Sequence, residues 1–170
     1  IEVTTDLKAK KIIMRYIKGS WETATTGPIK CHKGFTARAR LKTPAKGQST
    51  WYGELVYLID AQVPVGECKS KLFSTTNKED PGTWAYGVLP NNATRYNLKT
   101  ASKSSSDKLP QHEPVDIKYD KELRRVDFTS AHWKYYQEDL PEDVDFKLAV
   151  SMCYTPTEVE IEFLSIDGHE

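Results

Sequence analysis

A carboxylate, a hydroxyl and an imidazole lie close together in Asp127-Phe128-Thr129-Ser130-Ala131-His132, the set that acyl transfer needs as orienter, nucleophile and base. In a strand, Asp127 and Thr129 would point to one side while Phe128, Ser130 and His132 point to the other. The Asp127 carboxylate would then reach the His132 imidazole only around a turn. Ser20 and His32 are the other hydroxyl and imidazole that such chemistry would use. However, Gly19-Ser20-Trp21-Glu22-Thr23 lacks the second glycine of a nucleophile elbow. Hydrolysis is therefore the minor expectation. Cys31-His32 is the one Cys/His neighbour pair, and His112 and His169 stand apart, so the paired spacings of a zinc site are missing. Glu138, Asp139, Glu142, Asp143 and Asp145 offer oxygens to a hard cation. They lack the alternating Asp/Asn and the glycine of a calcium loop and read as a solvated acidic segment. With no phosphate-cradling glycine loop either, no cofactor is expected.

Binding chemistry is better represented. Trp84, Tyr86, Trp133 and Tyr135 fall in or beside segments that read as strands. Rings with polar tips at strand ends supply contact area for a peptide, a protein or a glycan at low entropic cost. Most aromatic side chains of a sheet protein fill its core, and the loop-adjacent Trp84 and Trp133 are the ones expected to be exposed. Asn92-Ala93-Thr94 is a glycosylation sequon, meaningful only on a secretory route. Cys31, Cys68 and Cys153 permit at most one internal disulfide plus a free thiol, and their spacing leaves the pairing open.

A length of 170 residues suits one domain, spanning 1–170, and is long enough to bury a sizeable core. Lys plus Arg and Asp plus Glu both number 24, and this balance argues against a chain that wraps nucleic acid or coats an anionic membrane. The neutrality hides a polarity. Residues 1–50 carry 11 basic and 3 acidic side chains, a net +8, whereas residues 138–170 carry 1 and 10, a net −9. The simplest reading is that the two ends neutralise each other in a shared sheet, and the sharper one is a bipolar surface that meets a partner or another copy. The longest apolar run, Leu55 to Ile59, is far too short to span a bilayer, so no membrane insertion is expected. The start at Ile1, without the pattern of a signal peptide, reads as a processed product or an excised domain.

The elements that must position these groups are strands. Phe35, Ala37, Ala39 and Leu41 alternate with Thr36, Arg38, Arg40 and Lys42. Phe146, Leu148, Val150, Met152 and Tyr154 share one parity, and Val159, Ile161 and Phe163 alternate with glutamates. These last two segments, joined by Thr155-Pro156-Thr157, read as a hairpin. Further strands are expected over 12–17, 51–59, 83–88, 95–98, 115–119 and 125–129, and short helical turns over 5–11 and 137–144. The serine-rich stretch 101–107 reads as an exposed loop. The fold class is therefore all-β: a single antiparallel β-sandwich of jelly-roll type with about eight to ten strands.

The segment from Phe146 to Pro156, followed by Val159 to Leu164, resembles the final strand pair of picorna-like, insect-type virus coat proteins. The stretches Arg15 to Trp21 and Trp51 to Tyr57 are similar in spacing to other strands of that jelly roll. The resemblance implies a non-enzymatic coat or protruding domain at the virion surface, contacting neighbouring subunits or a host receptor. The absence of a basic arm speaks against direct nucleic-acid binding. Gly19-Ser20-Trp21 is similar to the Gly-x-Trp motif of lipocalins, and Cys31 falls where tick-type members carry a cysteine. That resemblance implies an extracellular barrel carrying a small hydrophobic ligand. The expected partners are thus a protein or glycan on a host surface, or copies of the chain itself, in a virion-surface or extracellular setting.

Overall fold

The computed structural model describes residues 1–17, 21–41, 55–68, 85–89, 94–97, 102–105, 114–129, 134–153 and 158–170. Among the described residues thirteen strands form two antiparallel sheets. The larger runs in the order β1 (Glu2–Asp6), β2 (Lys11–Arg15), β13 (Glu158–Ile166), β4 (Gly34–Leu41), β9 (Val115–Asp120), β10 (Arg125–Thr129), β11 (Lys134–Gln137). The smaller runs β3 (Trp21–Thr25), β12 (Phe146–Cys153), β5 (Leu55–Asp60), β6 (Ala85–Leu89), β7 (Thr94–Asn97), β8 (Ser102–Ser105). The all-β sandwich expected from the alternation is what the chain forms.

The core lies between the sheets, and the period of two builds it. Ala37, Ile117, Val126, Phe128 and Ile161 reach in from the larger sheet, and Val56, Leu58, Leu148, Val150 and Met152 from the smaller. Four rings run through it in edge-on or tilted contacts: Phe163 to Phe35 at 6.4 Å, Phe35 to Tyr119 at 5.8 Å, and Tyr119 to Phe146 at 5.2 Å between centroids. Among the described residues both sheets have end strands, and side chains fill the space between them. This corrects the lipocalin-type carrier, whose ligand would need a closed, hollow barrel.

Four local expectations are also corrected. The segments 146–153 and 158–166 do not form a hairpin: β12 pairs with β3 and β5, while β13 pairs with β2 and β4, so the chain crosses from one sheet to the other. Residues 5–11 make the end of β1, a turn and the start of β2. Asp6 caps the turn by accepting the Ala9 N–H at 3.0 Å. Residues 137–144 form no helix, and buried Leu140 is pinned by its N–H to the Arg124 carbonyl at 3.0 Å. Within 101–107, Ser102–Ser105 form β8, because an end strand needs only a backbone partner, here β7.

The charge polarity resolves in the larger sheet. Lys11 meets Glu160 at 3.2 Å and Glu162 at 4.0 Å, and Arg15 meets Glu158 at 2.7 Å, all across the β2–β13 pairing. The basic beginning and the acidic end thus neutralise each other side by side, the simpler of the two readings.

Candidate functional site

At the end of the sandwich where β1 turns into β2 and β13 finishes, a cleft of about 450 Å³ opens toward solvent. Its walls are Leu7, Ile12, Phe163 and Ile166, with Lys10 and Glu170 among the residues on the rim. The register explains why it exists. Thr5 lies opposite Ile12, and Ile12 and Phe163 pack against the core, so all three occupy the inward face of the larger sheet. The ring of Phe163 therefore belongs to the core on one side and to the cleft on the other. Leu7, at 85% exposure, and Ile166, at 38%, complete an apolar surface left in water.

One carboxylate holds the far wall in place. Asp167 and Gly168, at φ 55° and 80°, form a two-residue turn across which Ile166 and His169 exchange both backbone hydrogen bonds at 3.0 Å. Positive φ at both central positions is the type I′ geometry that Asp-Gly adopts most readily. The Asp167 side chain then accepts main-chain N–H bonds from Lys33 at 2.6 Å, His32 at 2.8 Å and Gly34 at 3.2 Å. The amides of Lys33 and His32, with the weaker one of Gly34, hold its carboxyl down at about 2, from an ordinary 3.8. A group whose pKa falls on folding stabilises the fold above its unfolded value, and that stabilisation is lost as pH drops through the folded value. Asp167→Asn is expected to be less stable than wild type at pH 7, with the difference shrinking between about pH 4 and pH 2. Urea unfolding of both proteins across that range measures it.

A second hollow, of about 610 Å³, is polar and lies beside Pro28, Lys30, Asp60, Gln62, Lys121 and Asp145. Lys30 is ion-paired with Asp145, Arg124 reaches Asp139 and Glu142 at 4.0 and 3.6 Å, and Arg125 reaches Glu138 at 3.5 Å. Glu138, Asp139, Glu142 and Asp145 of the acidic segment are thereby each paired with a basic side chain. Among the described residues no three His, Cys, Asp or Glu side chains converge as a metal site would require.

Of the hydrolytic candidates, Asp127 is committed elsewhere. Its oxygens accept from Arg125 at 2.8 and 3.1 Å, and the Arg125 guanidinium also lies 4.0 Å from the centroid of the half-exposed Tyr136 ring. The exposed His32 serves the fold through its main-chain N–H. Ser20, Ser130 and His132 lie outside the described residues, as do Trp84, Trp133 and Asn92. The backbones of Tyr86 and Tyr135 lie on different sheets, one opposite Leu58 and the other opposite Phe128. Cys31 and Cys68 are free thiols, and burial pushes both upward. The cleft itself was missed in the sequence because Leu7 sits in a polar turn and Ile166 follows a register shift between Phe163 and Ser165.

No family model matches the sequence, and no curated protein aligns with it significantly. Solved structures do match. The SPRY domain of human HERC1 superposes with a TM-score of 0.63 at 9% identity, covering 96% of this chain and 94% of that one. The PSpry domain of TRIM65 gives 0.56 at 9%, over 96% and 85%. The carbohydrate recognition domain of Emp46p, in a potassium-bound form, gives 0.54 at 10%, over 98% and 94%. The likeness is one of fold. It corrects the virus-coat resemblance: the neighbours are SPRY and lectin-type sandwiches, and the strand pair that carried the resemblance is split between two sheets. Alternating strands joined by a short connection are common to two-sheet sandwiches generally, so they could not single out a coat protein.

Proposed function

We propose that this domain is a non-enzymatic recognition module that binds a protein segment, with the cleft between the β1–β2 turn and the end of β13 as its docking pocket. The sandwich fold shared with SPRY and lectin-type domains supports a binding role. The observation that carries the choice of ligand is the lining of the cleft. Leu7, Ile12, Phe163 and Ile166 present aliphatic and aromatic surface, which rewards an apolar side chain and leaves the hydroxyls of a sugar unpaired. Selection from a random peptide library is expected to enrich sequences with a large apolar anchor. Leu7→Asp is expected to weaken their binding by about 2 kcal/mol, roughly thirtyfold, as loss of a buried anchor does. Leu7 is exposed, so the substitution leaves folding intact. A glycan reading is favoured by the polar hollow beside Lys30, Gln62, Lys121 and Asp145, which offers donors and acceptors together. Glycan-array binding unaffected by Leu7→Asp, with no peptide enriched, would replace the first reading with this one.

A further inference from the structure

The outer face of the larger sheet alternates in charge strand by strand. On β1 it presents Glu2 and Asp6, on β2 Arg15 and Lys11 directly opposite them, on β13 Glu158, Glu160 and Glu162, and on β4 Arg40 and Arg38. Asp116 on β9 continues the row with a bidentate pair to Arg38 at 2.7 and 3.1 Å. The lysine and arginine of β2 are spent on β13, where Arg15 holds Glu158 and Lys11 holds Glu160 and Glu162. Among the described residues Glu2 makes no ion pair within 4.0 Å and acts on Arg15 only through its field, behind Glu158, while the Asp6 carboxylate caps its own turn.

Among the described residues β1 is also the last strand of its sheet, so alternate residues from Glu2 to Asp6 direct N–H and C=O groups away from β2 with no described strand to receive them. All five residues are exposed, and the strand carries no proline, lysine or bulge, so its two carboxylates are the only side chains that guard the edge. Its inward positions, Val3 at 47% exposure and Thr5, lead into the apolar cleft.

Extending our reading of the cleft as a protein-docking site, we propose that β1 accepts an extended segment of a partner protein as an added antiparallel strand. That segment carries two basic side chains four residues apart on one face and apolar side chains between them on the other. The bases sit opposite Glu2 and Asp6 and continue the sign alternation by one strand. The apolar residues lie beside Val3 and Thr5 and feed the cleft. A second copy of this chain is the wrong occupant, because antiparallel pairing of β1 with itself sets Glu2 against Asp6, and like charges directly opposite are destabilising. Backbone hydrogen bonds supply affinity in this mode, and the alternating side chains supply specificity.

The probe is the capped peptide Thr-Lys-Val-Thr-Val-Lys-Thr, compared with its Thr-Glu-Val-Thr-Val-Glu-Thr counterpart, titrated into the full chain by fluorescence polarisation and amide NMR. The basic peptide is expected to bind about tenfold or more tightly than the acidic one, to weaken as salt rises, and to shift the amides of Val3 to Asp6. Glu2→Lys, at an exposed position, is expected to weaken the basic peptide about fivefold and strengthen the acidic one, one cross-strand charge pair's worth. Equal binding of the two peptides, or shifts confined to Leu7, Phe163 and Ile166, overturns strand addition while leaving the cleft reading intact. Binding of neither peptide at millimolar concentration also overturns it, and the library selection then judges the cleft by itself. A dimer in sedimentation that depends on β1 makes the second copy the occupant and overturns the proposal as well.

Discussion

Gly34→Ala is expected to destabilise the protein by about 3 kcal/mol, lowering the melting temperature by roughly 6–12 °C for a chain of this size. Two independent costs combine there. Gly34 holds φ 144°, a conformation that L side chains rarely adopt, and a Cβ placed on it would overlap the carbonyl oxygen of Tyr119. That oxygen belongs to backbone already paired within the sheet, since Gly34 faces Asp120 and Phe35 faces Tyr119 in the β4–β9 register, so it has no rotamer by which to yield. Gly34 is also where several threads meet. Its N–H reaches Asp167 at 3.2 Å, its carbonyl receives the Asp167 N–H at 2.9 Å, and the neighbouring Lys33 carbonyl receives the Lys121 N–H at 2.8 Å. Displacing it therefore loosens the loop before β4, the turn after β13 and the wall of the cleft together. Gly27→Ala is the matched control. No heavy atom lies within 4 Å of a Cβ there, and its stability change is expected to stay within about 0.5 kcal/mol. Thermal and urea unfolding of the two variants separate the local effect from a general intolerance of glycine substitution.

The alternation in the sequence was enough to find the strands that carry the core, because a period of two follows directly from the pleat. Phe35 to Leu41 and Val115 to Tyr119 lie where the pattern puts them. Pairing is another matter. Phe146, Leu148, Val150 and Met152 share one parity on β12, as Val159, Ile161 and Phe163 do on β13, and two such strands look the same in sequence whether they lie side by side in one sheet or face each other across the core. The glutamates of β13 held the missing information. Glu158, Glu160 and Glu162 call for basic neighbours on both sides, and Lys11, Arg15, Arg38 and Arg40 supply them, whereas β12 exposes no such row. Charge complementarity across the whole chain thus specified the neighbours of β13 better than its nearest segment in sequence did.

The site was less legible than the fold, for physical reasons that differ by residue. Asp127 looked like part of a catalytic set because sequence proximity hides the side chain two positions away that captures it, Arg125. The cleft depends on features with no sequence period. Leu7 is the one large apolar residue in a four-residue turn, and Ile166 returns to the inward face only because the register shifts after Phe163. The Asp167-Gly168 turn was the readable signal, since that dipeptide favours a tight reversal. Its use here, folding the chain end back beside the cleft and handing Asp167 to three amides, belongs to tertiary structure.

Phe146→Ala is expected to cost about 3–5 kcal/mol, the larger of the core effects. Phe146 is fully buried on β12, and its ring, 5.2 Å from Tyr119, is the link by which the smaller sheet joins the aromatic row of the larger one. Its main chain works as well: the carbonyl receives the Ile29 N–H at 2.8 Å, tying the segment after β3 to the start of β12. Truncation leaves a cavity beside Tyr119, which its β4–β9 pairing holds in place, so the void has little means of collapsing. Phe163→Ala removes a ring of the same size at the other end of the row, where Phe163 is only partly buried and lines the cleft. It is expected to cost less stability than Phe146→Ala and more binding. Chemical unfolding together with affinity for a cleft-selected peptide measures both, and the two variants are expected to reverse their order between the two measurements. Equal losses of binding in both would mean that the cleft acts through the stability of the fold rather than through its own lining.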